Sequence, residues 1–160
     1  MLGVSRIIQA CIETQHIDSK YPNWSPEIAP FQVCIIPAKA GSREDEKSQN
    51  LVKYLTDMLD KSPLFKDDVL VDDRTWLTIG NRMVDAKLAG IPYVLVLGKS
   101  IHEEQIEIQI NSSFLEKAIG KNQLFCHSRE TLVILNQINN DYLYVKKQNK
   151  LNSYFSNDTK

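Results

Sequence analysis

Residues 69–99 read VLVDDRTWLTIGNRMVDAKLAGIPYVLVLGK and hold the side chains best suited to chemistry in this chain. Asp72 and Asp73 are neighbouring carboxylates, which only accept hydrogen bonds when ionised. Arg74, Arg82 and Lys99 are cationic donors for phosphate or carbonyl oxygens. Trp76 adds an aromatic ring. This set suits recognition of a polar, charged ligand. Nucleophilic catalysis finds no support: no Ser/His/Asp or Cys/His arrangement and no glycine-rich phosphate loop is visible. His16, His102 and His127 fall on separate segments, so no catalytic residue is assigned in this chain.

The charged residues are positioned by the elements around them. Val69, Leu70 and Val71 form a short strand that stops at Asp72 and Asp73. A helix is expected over residues 78–89, ended by Gly90 and by Pro92 just beyond. Residues 93–97 are a continuous apolar run, as expected of a strand buried on both faces. A crossover of this kind makes a βαβ unit with parallel strands. In open α/β sheets ligands lie outside the carboxyl ends of the strands. Asp72, Asp73, Arg74, Gly98 and Lys99 all fall at that edge.

With 160 residues and a hydrophobic fraction of 42%, one domain with a true core plus extensions is expected. The 19 basic and 20 acidic residues leave a net charge of −1, which argues against nonspecific nucleic-acid or membrane binding by bulk charge but leaves a local site open. Cys11, Cys34 and Cys126 are far apart, with no CxxC and no Cys/His cluster of metal spacing. Neither a disulfide framework nor a metal site is expected, and a reducing compartment fits best. No apolar run approaches the roughly 20 residues of a membrane span, so no membrane partner is expected.

Val4, Ile7, Ile8, Cys11 and Ile12 share one helical face. Residues 21–30, YPNWSPEIAP, form a connector that its prolines keep from being helical throughout. Residues 31–37 are the first strand, followed by a polar loop over 39–46 and a helix with Leu51, Leu55, Met58 and Leu59 on its apolar face. Residues 105–110 alternate as a half-exposed strand, and 124–126 suggest another. Ser128 is placed as the cap of a last helix with Leu132, Leu135 and Ile138 as its stripe. The expected architecture is α/β: a mixed, mainly parallel five-stranded sheet flanked by helices and preceded by one isolated helix. Strands 31–36, 69–71 and 93–97 are expected to be parallel and central. The boundaries are an initial helix over 1–16, a linker over 17–30, the α/β domain over 31–139 and a loosely held polar tail over 140–160.

Several of these motifs resemble a known family. Gly3-Val4-Ser5-Arg6 followed by IIQACIE is similar to the end of motif 3 of class II aminoacyl-tRNA synthetases, in which an arginine opens a helix and contacts ATP. The linker with Trp24, Pro26 and IAPFQV looks like the junction to the C-terminal anticodon-binding domain of the class IIa enzymes. VLVDDR and then IGNRMVDAKLAGIPYVLVLGK resemble that domain in prolyl-tRNA synthetases, most of all the bacterial-type mitochondrial form. The resemblance spans residues 2–139. Motifs 1 and 2 are absent from the sequence, so residues 1–16 are read as a remnant of the catalytic domain, and the chain as a fragment, a truncated gene model or a detached domain. The lack of clustered cysteines argues against the archaeal and cytosolic eukaryotic type, which carries an extra zinc-binding region.

The resemblance implies the class IIa anticodon-binding fold and a parent proline–tRNA ligase that attaches proline to its tRNA using ATP. It implies that this chain alone is inactive and binds no cofactor, with ATP and Mg the parent's. The implied partners are tRNA(Pro) and the parent catalytic domain, with homodimerisation through that domain. The implied location is the mitochondrial matrix, with the cytoplasm as the alternative. Proline anticodons share two guanines, and the guanine edge offers two N–H donors that one carboxylate can accept. Asp72, Asp73, Arg74, Arg82 and Lys99 are then the anticodon-binding candidates, Phe31 and Trp76 the candidates for base stacking, and Arg6 the remnant ATP contact. Structural roles stand beside these: Asp72 and Asp73 capping the loop and pairing with Arg74, Arg82 bridging to Asp85 or Asp72, and Trp76 packing. The competing function is a non-catalytic accessory subunit of mitochondrial DNA polymerase, which uses the same domain fold.

Overall fold

In a computed structural model of the chain, which describes residues 3–15, 24 and 26–157, β-branched and aliphatic runs form the parallel strands. These are β1 (Val33–Ile36), β2 (Val69–Val71) and β3 (Tyr93–Val96). Two strands with polar alternation, β4 (Gln105–Ile110) and β5 (Gln123–His127), complete one sheet of order β2-β1-β3-β4-β5. β1 pairs parallel with both β2 and β3, whereas β3–β4 and β4–β5 are antiparallel. The five-stranded mixed sheet is as expected. β2, however, is an edge strand rather than a central one, with Leu70 exposed.

Helices cover both faces. Val33, Ile35, Tyr93 and Leu95 point to one side, where α2 (Asp45–Asp60), α4 (Ser113–Ile119) and α5 (Thr131–Asn157) bring Leu55, Leu59, Leu115, Leu135 and Ile138. Cys34, Ile36, Val94 and Val96 point to the other, where α3 (Ile79–Leu88) brings Ala86. Burial on both faces is why β1 and β3 are apolar at every position. β4 has a helix-covered face only on one side, so Ile106, Ile108 and Ile110 are buried between outward-facing Gln105, Glu107 and Gln109.

α3 is delimited by local chemistry. The Thr78 hydroxyl accepts the Asn81 N–H at 3.3 Å, and Gly90 follows the last turn with φ +73°. Gly90 also meets the connector. A Cβ there would lie 2.4 Å from Cδ1 of Trp24, whose carbonyl accepts the Ser112 hydroxyl at 3.4 Å. Gly120 has a similar φ of +69° with open space around it. Gly120→Ala should therefore cost only the left-handed backbone penalty, about 1–2 kcal/mol. Gly90→Ala should cost more than Gly120→Ala and expose Trp24; urea unfolding of both variants with tryptophan emission checks this, and equal losses would refute the Trp24 contact.

Two elements differ from the sequence reading. Residues 113–119 form α4, which no pattern had indicated. The last helix starts at Thr131 rather than at Ser128, and it runs on through the expected tail to Asn157. Tyr142 continues the stripe of Leu135 and Ile138 and is buried. One apolar contact per turn holds the helix there, although the surrounding composition is polar. α1 (Val4–Gln15) is helical as expected, with Val4, Ile7 and Ile8 exposed. Residues 1–2 and 16 of the expected initial helix, residues 17–23 and 25 of the expected linker, and residues 158–160 lie outside the described residues.

Candidate functional site

Because β1, β2 and β3 run parallel, their carboxyl ends share one edge of the sheet. Three loops meet there: residues 37–44 after β1, 72–78 after β2, and 98–99 leading into a 3₁₀ turn, Lys99–Glu103. The chain leaves β1 toward β2 through α2, then recrosses β1 to β3 through α3 on the other face. The loops after β1 and β3 therefore diverge, which is the topological switch point where such sheets bind ligands.

Arg82 stitches this edge from beneath. It lies in the first turns of α3, is fully buried, and donates from Nη2 to the Pro37 carbonyl at 2.7 Å and from Nη1 to the Asp72 carbonyl at 3.2 Å. Those carbonyls end β1 and β2. Burial lowers the guanidinium pKa, opposed by the nearby Asp72 carboxylate. Neither sequence alternative for Arg82, a side-chain bridge to Asp85 or to Asp72, is what forms: its partners are main-chain oxygens. A group with no exposed surface cannot touch a ligand in this arrangement, which corrects its assignment as a contact residue.

Asp72 is also occupied. Its buried carboxylate accepts the Arg74 main-chain N–H at 3.1 Å, Nε at 3.0 Å and Nη2 at 2.7 Å. Burial alone would raise its pKa, but these bonds to Arg74 outweigh it and hold the carboxyl below the usual aspartate range. Arg74 also gives Nη1 to Asp85 at 2.9 Å, so it is clamped between two carboxylates while part of its side chain remains exposed. The first two loops are tied together by the Ala40 N–H to the Thr75 carbonyl at 3.0 Å, and the first is held to α2 by the Ala38 N–H to the Ser48 hydroxyl at 2.8 Å. His102 and Glu44, 3.1 Å apart, join the 3₁₀ turn to the first loop. Cys34 lies beneath, where burial and then Asp72 push its thiol up to about 12, so it is a neutral packing group.

On this frame Asp73, Trp76 and Lys99 face solvent. Trp76 is 69% exposed, which sets aside a packing role. Two further cations at the same edge, Lys39 and Arg43, are exposed in the loop after β1. Sequence reasoning passed over them as part of a polar loop; their position after a βα-strand was the available signal. Phe31 is a correction: it precedes β1, about 20 Å of extended chain from Pro37, at the opposite edge of the sheet. There it packs partly buried against the smaller apolar cluster beneath α3. Arg6 lies exposed on α1. His127 pairs with Glu104 at 2.7 Å at the same end of the sheet, where β5 finishes beside the start of β4. Among the described residues no three His, Cys, Asp or Glu side chains cluster as a metal site, and no helix is long and apolar enough to cross a membrane.

Residues 32–121, which contain all three loops, match the anticodon binding domain family. The chain belongs to that family. It is 39% identical over 109 residues to a probable mitochondrial proline–tRNA ligase of Mus musculus, covering 68% of this chain and 23% of that protein. It is 36% identical over 118 residues to a proline–tRNA ligase of Wolinella succinogenes, covering 74% of this chain and 19% of that one. The chain thus spans about a fifth to a quarter of the length of the curated relatives it matches. Among solved structures it is similar to Giardia lamblia prolyl-tRNA synthetase in complex with prolyl-adenylate. That likeness has a TM-score of 0.68 at 22% identity, and covers 87% of this chain and 29% of that one. A Cryptosporidium parvum prolyl-tRNA synthetase complexed with L-proline and AMP gives a TM-score of 0.62 at 21% identity, covering 87% and 28%. At these identities the structures speak for the anticodon-binding fold alone. The polymerase accessory-subunit alternative gains no support from these relatives.

Proposed function

We propose that this domain recognises the anticodon of a proline tRNA as the C-terminal part of a proline–tRNA ligase. The observation that carries the reading is the exposed Asp73 carboxylate beside the clamped Arg74, at the carboxyl edge of the parallel strands in an anticodon-binding family domain. In this reading Asp73 accepts the two N–H donors of a guanine, and Trp76 stacks on an unpaired base. Lys99, Lys39, Arg43 and the outer edge of Arg74 take phosphate oxygens. Asp72 and Arg82 act through others, holding Arg74 and the two loops in place.

The parent enzyme would attach proline to its tRNA with ATP and Mg²⁺, using catalytic residues that this sequence does not contain. Arg6 would belong to that ATP site, and a homodimer would form through the catalytic domain. The mitochondrial relatives favour the matrix as location; the bacterial ones keep the cytoplasm as the alternative.

Titration of the chain with a proline-anticodon stem-loop and with the same loop carrying adenine for either shared guanine tests the reading. Adenine presents an acceptor where guanine presents an N–H, so binding should weaken by roughly tenfold on exchange of the guanine that Asp73 holds, the scale of one lost bidentate contact. Equal affinity for all loops would reject base readout by this domain.

A further inference from the structure

The connector that leads into β1 is fastened at two points, and at the second of them both sides lie outside the family-matched residues 32–121. At the first, the Trp24 ring lies on Gly90 and its carbonyl accepts the Ser112 hydroxyl. At the second, the Glu27 carboxylate accepts the Tyr142 hydroxyl at 3.1 and 3.2 Å on its two oxygens and pairs with the Lys146 ammonium. Lys146 also stands 5.7 Å from the centre of the Tyr142 ring. Between these points the Pro26 carbonyl accepts the Gln32 side-chain amide. A hollow of about 260 Å³ separates the connector from Leu64, Asp68 and the turn of α5 that carries Asn139 and Tyr142.

We infer that the turn of α5 that carries Tyr142 and Lys146 is a clasp that holds the connector through Glu27 and so sets the path by which the chain preceding β1 joins the domain. The division of labour along α5 supports this. Leu135 and Ile138 cover the sheet, whereas Tyr142 is, among the described residues, the last side chain of the stripe in the core and turns its hydroxyl to Glu27. Lys146, one turn further, spends its charge on the same carboxylate. A connector with prolines at 22, 26 and 30 is stiff, so two fixed points suffice to define its direction. Release at Glu27 should free the connector and leave the sheet covered.

The test uses the full chain in a Trp76→Phe background, so that Trp24 is the only tryptophan. Tyr142→Phe, which keeps the buried ring, is combined with Lys146→Met. Hydrogen exchange is followed by mass spectrometry over residues 24–32 and over β1 and β3, with acrylamide quenching of Trp24 as the second readout. The double variant should exchange on the order of tenfold faster in the connector, with readier quenching of Trp24 and unchanged protection of the strands. Lys147→Met, on the neighbouring exposed position, should change neither. Connector exchange equal to the parent's would overturn the clasp. So would an equal rise in connector and strands, because this turn of α5 would then be a general support of the core.

Discussion

Arg82→Ala is expected to lower the unfolding free energy of the domain by about 3 kcal/mol. Each guanidinium bond to a carbonyl is a charged hydrogen bond worth roughly 1.5–3 kcal/mol, and both acceptors are left behind by the substitution. The Asp72 carboxylate keeps Arg74 as its partner, so no isolated buried charge adds to the loss. Arg82→Lys should recover little, because one ammonium lacks the fork that spans the ends of β1 and β2. Urea unfolding measures the loss, and hydrogen exchange should show loops 37–44 and 72–78 opening before the strands. A loss below about 1 kcal/mol would mean that the two carbonyls find other donors. RNA binding by Arg82→Ala should fall only as the loops loosen, since the side chain reaches no solvent.

The second large effect concerns the exposed carboxylate. Asp73→Ala should abolish the roughly tenfold preference for guanine over adenine while leaving stability nearly unchanged, because Asp73 is exposed and its side chain bonds no other side chain among the described residues. Lys99→Ala should weaken every stem-loop alike and reduce the salt slope by about 1, as expected for one phosphate contact. Stem-loop titrations at two salt concentrations separate the two roles. A guanine preference that survives Asp73→Ala would remove Asp73 from base readout, even if the domain binds the RNA.

The two substitutions sit in one short motif, yet one is expected to act on stability and the other on specificity. DDR and GNR are legible as charged residues at strand and helix ends. Their division into Asp72, Arg74 and Arg82, which hold the frame, and Asp73, which faces outward, is not. Alternation along the chain turns Asp72 inward under Arg74 and leaves its neighbour in solvent. Arg82 reaches Pro37 across 45 residues of sequence, a contact with no local signature.

Sequence alone determined the βαβ unit, the helix stop at Gly90, the apolar strands and the edge where charges gather. All follow from periodicity and turn chemistry acting over a few residues. Family membership was legible for the same reason, since its motifs lie in those short segments. Only the tertiary structure decided that β2 is an edge, that Phe31 lies at the far end of β1, and that the polar C-terminal segment is a helix anchored by Tyr142. It also decided which charges are buried. Those outcomes depend on what each side chain meets from distant parts of the chain, and residue type at one position does not encode its solvent access. Packing against α3, α5 and the connector does.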